Sequence, residues 1–288
     1  MTRRILLFTL LASCAFAALA ARYEKTRKQV EASMLVTGEL VVAPDGAVKS
    51  YKLDRAEALP PETRALLAEV VPSWELDVAS ADGSPLQSPA AVKMSVQLLA
   101  RPIVGVDDKL RVTIQDTAFW DPKVPFDVKA KEKLTPPEYP PFAARSGVSG
   151  IVYLVVRLNP DGAVVETHVE RVDMTVLGDA KTLRKFSKVL AEAAVDTAKQ
   201  WTFDIAPDRL AKPGPVAVRV PIDFVSWNAT PGEYGRWRAY VPGPYAPIPW
   251  QKRTADGGNV ESGIGAMVPG HIYSTDASIK LRGSPAGS

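Results

Sequence analysis

The chain has 288 residues, a formal net charge of +3, 46% apolar residues, one cysteine and two histidines. So small a charge, with no Lys/Arg-rich cluster interleaved with aromatics, makes no case for a nucleic-acid partner. A lone Cys14 excludes an intramolecular disulfide and a cysteine-built zinc site, so no cofactor is expected and stability must come from packing.

Arg3 and Arg4 precede an uncharged, mostly apolar run from Ile5 to Ala21. Ala18-Leu19-Ala20 supplies the small residues at which a signal peptidase cuts. The run is at the short limit for a bilayer span, which takes about 20 residues. The first reading is therefore a signal peptide over 1–20, cleaved after Ala20. Leu11-Ala12-Ser13-Cys14 also resembles a lipobox, which would make Cys14 a lipidation site, although an apolar stretch follows it. An uncleaved anchor is the third reading. All three predict a periplasmic body that touches the membrane only through an uncleaved or lipidated N-terminus.

Residues 33–100 read as a first module. Leu40 to Ala43 is a short strand running into Pro44-Asp45-Gly46, and Val48 to Leu53 is the returning strand. A helix starts at Pro60-Pro61, buries Leu66, Leu67, Val70 and Val71, and stops at Pro72. Trp74 opens an extended piece. After a turn at Asp82-Gly83-Ser84-Pro85, Val92, Met94, Val96 and Leu98 alternate with polar residues as a half-buried strand. Residues 101–130 read as a linker, with one alternating stretch at Leu110, Val112 and Ile114.

The same order returns over residues 131–227. Ile151 to Leu158 is a strand, Asn159-Pro160-Asp161-Gly162 a turn, and Val164 to Val172 a strand. Asp179 to Gln200 is a helix with Leu183, Phe186, Leu190 and Ala193 or Ala194 on one stripe. Lys181, Arg184, Lys185 and Lys188 lie largely off that stripe, as on an ordinary solvated face. Trp201-Thr202-Phe203 matches Trp74-Glu75-Leu76, and Val216, Val218, Val220, Ile222 and Phe224 alternate as the last strand. Residues 228–288, rich in Gly, Pro and aromatics, read as a loosely structured tail. The expected fold class is α+β, two small modules that each pack a helix on one face of an antiparallel sheet.

The second module resembles the C-terminal domain family of TonB energy transducers over Pro136 to Phe224. Five features carry the resemblance: Pro137-Glu138-Tyr139-Pro140 followed by Ala143-Ala144; Gly147 and Gly150 ahead of a strand; Pro160-Asp161-Gly162; Trp201-Thr202-Phe203; and the closing strand to Phe224. The resemblance implies a periplasmic domain that adds a segment of an outer-membrane transporter as a strand to its sheet edge. The partner is then an envelope protein such as a TonB-dependent outer-membrane receptor. Pro221 lacks an N–H, which argues for a sheet-edge position for the last strand, either open to a partner or protected by the proline from unwanted pairing. The expected binding residues are Val216, Val218, Arg219, Val220, Ile222 and Phe224, with Tyr139 and Pro140 beside them. Three features depart from the family, the first being Glu138 where a glutamine commonly precedes the Tyr-Pro pair. Ile5 to Ala21 holds no histidine of the kind that couples a transducer to its motor, and no Pro-Lys or Pro-Glu repeat precedes the second module. An envelope adaptor using the same fold without energy transduction is the alternative.

An enzyme is not expected. Gly147-Val148-Ser149-Gly150 lacks the nucleophile-elbow spacing, His168 falls on a strand and His271 in the tail, and Asp45, Asp82 and Asp161 are turn residues.

Overall fold

A computed structural model describes residues 31–78, 86–102, 110–121, 127–227, 234–251, 263–275, 279–283 and 285. The first module runs β1 (Glu31–Val42), β2 (Val48–Leu53), α1 (Pro61–Val70), β3 (Leu76–Val78) and β4 (Ala90–Pro102), followed by β5 (Leu110–Trp120). The second runs β6 (Val128–Ala130), α2 (Pro141–Arg145), β7 (Gly150–Leu158), β8 (Val164–Met174), α3 (Ala180–Ala198), β9 (Phe203–Ile205), α4 (Pro207–Ala211) and β10 (Val216–Phe224). Three strands follow: β11 (Arg238–Tyr240), β12 (Tyr273–Ser274) and β13 (Ile279–Leu281).

In each module the third long strand lies beside the first, and the first beside the second: β4-β1-β2 and β10-β7-β8, all antiparallel. The fold class is α+β, as expected. Alternation makes the core. Met34, Val36, Leu40 and Val42 of β1 meet Val92, Met94, Val96 and Leu98 of β4 beneath Leu67, Val70 and Val71. In the second module Val152, Leu154, Val156, Val218 and Val220 meet Leu183, Phe186, Leu190, Ala194 and Ala198 of α3. Asp179 starts α3 by accepting from the N–H groups of Lys181 and Thr182, filling donors that a helix N-terminus leaves unpaired.

The two Asp-Gly turns dock in the same way. Gly46 and Gly162 have φ of 92° and 84°. Leu76 N–H donates to Gly46 O at 2.8 Å, and Phe203 N–H donates to Gly162 O at 2.9 Å. A Cβ on either glycine would lie 2.2 Å from Leu76 O or 1.7 Å from Phe203 O, so both the positive φ and the close approach require glycine. Trp74 and Trp201 are buried at corresponding places; their indole N–H groups donate to Pro285 O and Thr135 O.

Two expectations are corrected. The segment expected to be a linker, 101–130, supplies β5, which pairs with β4 along most of its length, and β6, which pairs with β9. The described part of the expected loose tail is built into both modules: β11 pairs with β1, β13 with β3 and β12 with β10. The cause is apolar surface on the helix-free faces of the sheets. Tyr153 is buried with Ile264, Met267 and Tyr273, joined by Trp120 of β5. Val155 and Ala217 are buried under Ile248 and Trp250. β7 is an almost unbroken apolar run, the pattern of a strand covered on both faces.

The covering layer is also polar. Asp116 of β5 accepts from Gly263 N–H at 3.1 Å and Gly265 N–H at 2.9 Å, and Ser95 of β4 donates to Ala266 O. Asp173 of β8 accepts from Gly243 N–H at 3.1 Å and pairs with Arg171 at 3.0 Å. The 263–267 segment is thereby tied to the first sheet while its side chains pack on the second.

Candidate partner-binding edge

β10 presents two faces and one outer side. The side chains of Val216, Val218, Val220 and Phe224 are buried in the core beneath α3, with Ile222 packed against it. Arg219 points to the opposite face, where its guanidinium donates to the fully buried Glu170 at 2.7 and 3.0 Å. Such a fork-to-carboxylate pair holds β10 to β8 across the sheet, and removing one partner would strand a buried charge. None of these side chains projects from the edge, so a strand added here would be held by backbone groups.

Those groups alternate. Ala217 O accepts from Thr275 N–H at 3.4 Å and Pro221 O from Gly270 N–H at 3.1 Å, so the odd-numbered residues of β10 turn their backbone groups away from β7. Pro221 thus lacks its N–H on the outer side, where no bond of the β10–β7 ladder is lost. The sequence put this strand at an open sheet edge; in the structure its outer side is covered by the chain's own tail, since the sheet order is β12-β10-β7-β8. Val218 pairs with Ser274 and Arg219 with Tyr273, so residues 270–275 of the same chain lie along it as an added strand. Tyr273 anchors them: it is buried, its hydroxyl accepts from Val268 N–H at 2.8 Å, and its ring meets Trp120 edge-on at 5.9 Å.

Tyr139 stacks on Phe224, with ring centroids 5.8 Å apart, and donates its hydroxyl to Val148 O. Burial pushes that hydroxyl's pKa up. Pro140 sits at the start of α2. The pair therefore fixes the end of β10 without lining its outer side. Cys14 lies outside the described residues. Among those residues no group of three His, Cys, Asp or Glu is placed to hold a metal, and no helix is long and apolar enough to cross a membrane.

Sequence reasoning missed the occupant, residues 270–275. The one signal was the β-prone Ile272-Tyr273 pair, too short for a period of two to register.

A three-stranded antiparallel sheet, ordered third-first-second with one long helix across a face, defines the class of the second module. Residues 135–226 match the family described as the Gram-negative bacterial TonB protein C-terminal. TonB proteins of two strains of Xanthomonas campestris pv. campestris are each 35% identical over 98 residues. That match covers 34% of this chain and 38% of each relative, so the chain spans well under half the length of the curated proteins it matches. No solved structure matches it significantly. Residues 135–226 are a TonB C-terminal domain.

Proposed function

We propose that the protein works in the periplasm as a TonB-type binding protein allied to transport across the outer membrane. Its second module receives an extended segment of an envelope protein, a TonB-dependent receptor, as a strand along β10. What supports this reading is that β10 is the outermost long strand within residues 135–226, the part that matches the TonB C-terminal family, and that a short strand from beyond that match pairs along its outer side. Residues 270–275 act as a stand-in that the partner replaces. The stand-in offers few bonds, two N–H donors to Ala217 O and Pro221 O and a two-residue pairing, so a longer segment can outcompete it. We read the two modules as copies of one unit, supported by the matching glycine turns and tryptophans.

One observation favours a second reading, an envelope adaptor without energy transduction. The third strand is capped by the chain's own strand in both modules, β4 by β5 and β10 by β12.

The test is amide NMR of the full chain with peptides from the periplasm-facing segments of outer-membrane receptors of the same cell. Binding is expected to shift the amides of Ala217 and Arg219 and release those of Gly270 and Thr275 to solvent exchange. Thr275→Pro removes the donor to Ala217 O and is expected to tighten peptide binding severalfold. Peptides that bind while Gly270 and Thr275 stay protected would place the site elsewhere and favour the adaptor.

A further inference from the structure

The first module carries another strand edge, and it is built differently. Among the described residues β2 pairs with β1 on one side only. Thr37 O accepts from Asp54 N–H at 2.9 Å, so the backbone groups of Lys52, two residues earlier, also face β1. Those of Tyr51 and Leu53 face away. At the start of the strand the outward position is filled, since Val48 N–H donates to Trp74 O at 3.3 Å. Tyr51 and Leu53 have no outward backbone partner among the described residues.

Between this edge and α1 runs an open groove of about 620 Å³. Leu53 and Ala68 line it together with Lys52, Arg55, Arg64 and one carboxylate, Glu57. Arg64 and Ala68 lie four apart on α1 and so share a face. Neither Lys52, Arg55 nor Arg64 makes an ion pair among the described residues. The groove therefore joins unpaired backbone groups to an excess of unpaired cations.

Arg55 is held there at a cost. Its φ of 44° makes it the one non-glycine residue with positive φ among the described residues, a conformation that a side chain with a Cβ disfavours. Its guanidinium lies 4.1 Å from the centre of the Tyr234 ring. The Tyr234 hydroxyl accepts from Thr37 N–H at 3.1 Å and donates to Thr37 O at 3.2 Å, which locks the ring in place. The ring takes one face of the guanidinium, whose in-plane N–H groups meet no acceptor among the described residues, the arrangement that receives a carboxylate in a fork.

We propose that this groove binds an extended acidic peptide segment of another protein, added as a strand to Tyr51 and Leu53 with a carboxylate on Arg55 and Arg64. Charge complementarity selects the occupant, since three of the four charged lining residues are cations. The site is separate from β10 and does not depend on the function proposed for it.

The experiment titrates the full chain with a fluorescein-labelled Glu-Val-Glu-Val-Glu peptide, its Lys-for-Glu counterpart, and versions N-methylated on alternate amides. The acidic peptide is expected to bind and to shift the Tyr51 and Leu53 amides but not Ala217 or Arg219. N-methylation in one register should abolish binding and in the other leave it intact. Arg55→Gly, which suits the positive φ, and Arg64→Glu should each weaken binding about tenfold. Absence of saturable binding, equal binding of the lysine peptide, indifference to both N-methylated registers, or shifts confined to other residues would each overturn the proposal.

Discussion

Trp74 and Trp201 seal their modules from the same position, just after the helix and just before a short strand that pairs outside the main sheet. Each is nearly inaccessible and each indole donates to a carbonyl distant in sequence. Trp201→Ala removes the largest side chain between α3 and the sheet and leaves Thr135 O unpaired, so a loss of about 3–5 kcal/mol is expected in denaturant unfolding. Asp173 behaves differently. It is fully buried, and desolvation pushes its carboxyl from 3.8 up to about 6 against the opposing pull of Arg171 and the Gly243 N–H. Tyr240 and Tyr153 face the same pair. The folded state thus holds this proton at pH values where the unfolded chain has lost it. On this group's account, stability falls as pH rises from about 4 to about 6 and is flat above. The stability of wild type relative to Asp173→Asn is expected to follow that curve with an amplitude of about 3 kcal/mol. A difference that rises with pH would mean that the Arg171 ion pair outweighs burial.

At the scale of elements, how much was legible depended on how long each pattern runs. β10 spans the residues that its alternation predicted, and α3 (Ala180–Ala198) falls within the helix expected from Asp179 to Gln200, with Asp179 as its cap. Asp179→Ala should cost about 1 kcal/mol, read from the unfolding midpoint at an unchanged denaturant slope. β5 was only half visible. Its alternation at Leu110, Val112 and Ile114 is interrupted because Gln115 is an extra residue: Leu98 pairs with Ile114 while Gln97 pairs with Asp116. Beyond that bulge the inward parity reverses, so a period of two no longer fits and the segment resembled a linker. β12 and β13 are too short to carry any period. For the candidate site, the strand could be read from Val216 to Phe224, and Pro221 marked the side that lies outside the β10–β7 ladder. Its occupant could not, since pairing across such a separation leaves no local mark.

The described residues form two helix-and-sheet units whose helix-free faces share one covering layer drawn largely from residues 234–251 and 263–275. The continuous apolar run of β7 implied a second cover; nothing local said that Ile264, Met267 and Tyr273 would supply it. The same layer that completes the core also places residues 270–275 on β10, so under the proposed function folding and access to β10 would be joined in one segment. Locking that segment tests the central claim most directly. Val218 and Ser274 face each other across the strand pair, in the closely spaced register between the hydrogen-bonded partners. Two cysteines there, about 4.5 Å apart at Cα, suit a disulfide. With Cys14→Ser in the background, Val218→Cys and Ser274→Cys give a chain whose stand-in strand is fixed when oxidised and free when reduced. Affinity for a receptor segment, measured by calorimetry on both forms, is expected to be lost on oxidation and restored by reduction. Equal affinity in the two forms would contradict the account, because the partner could not then be using the edge of β10.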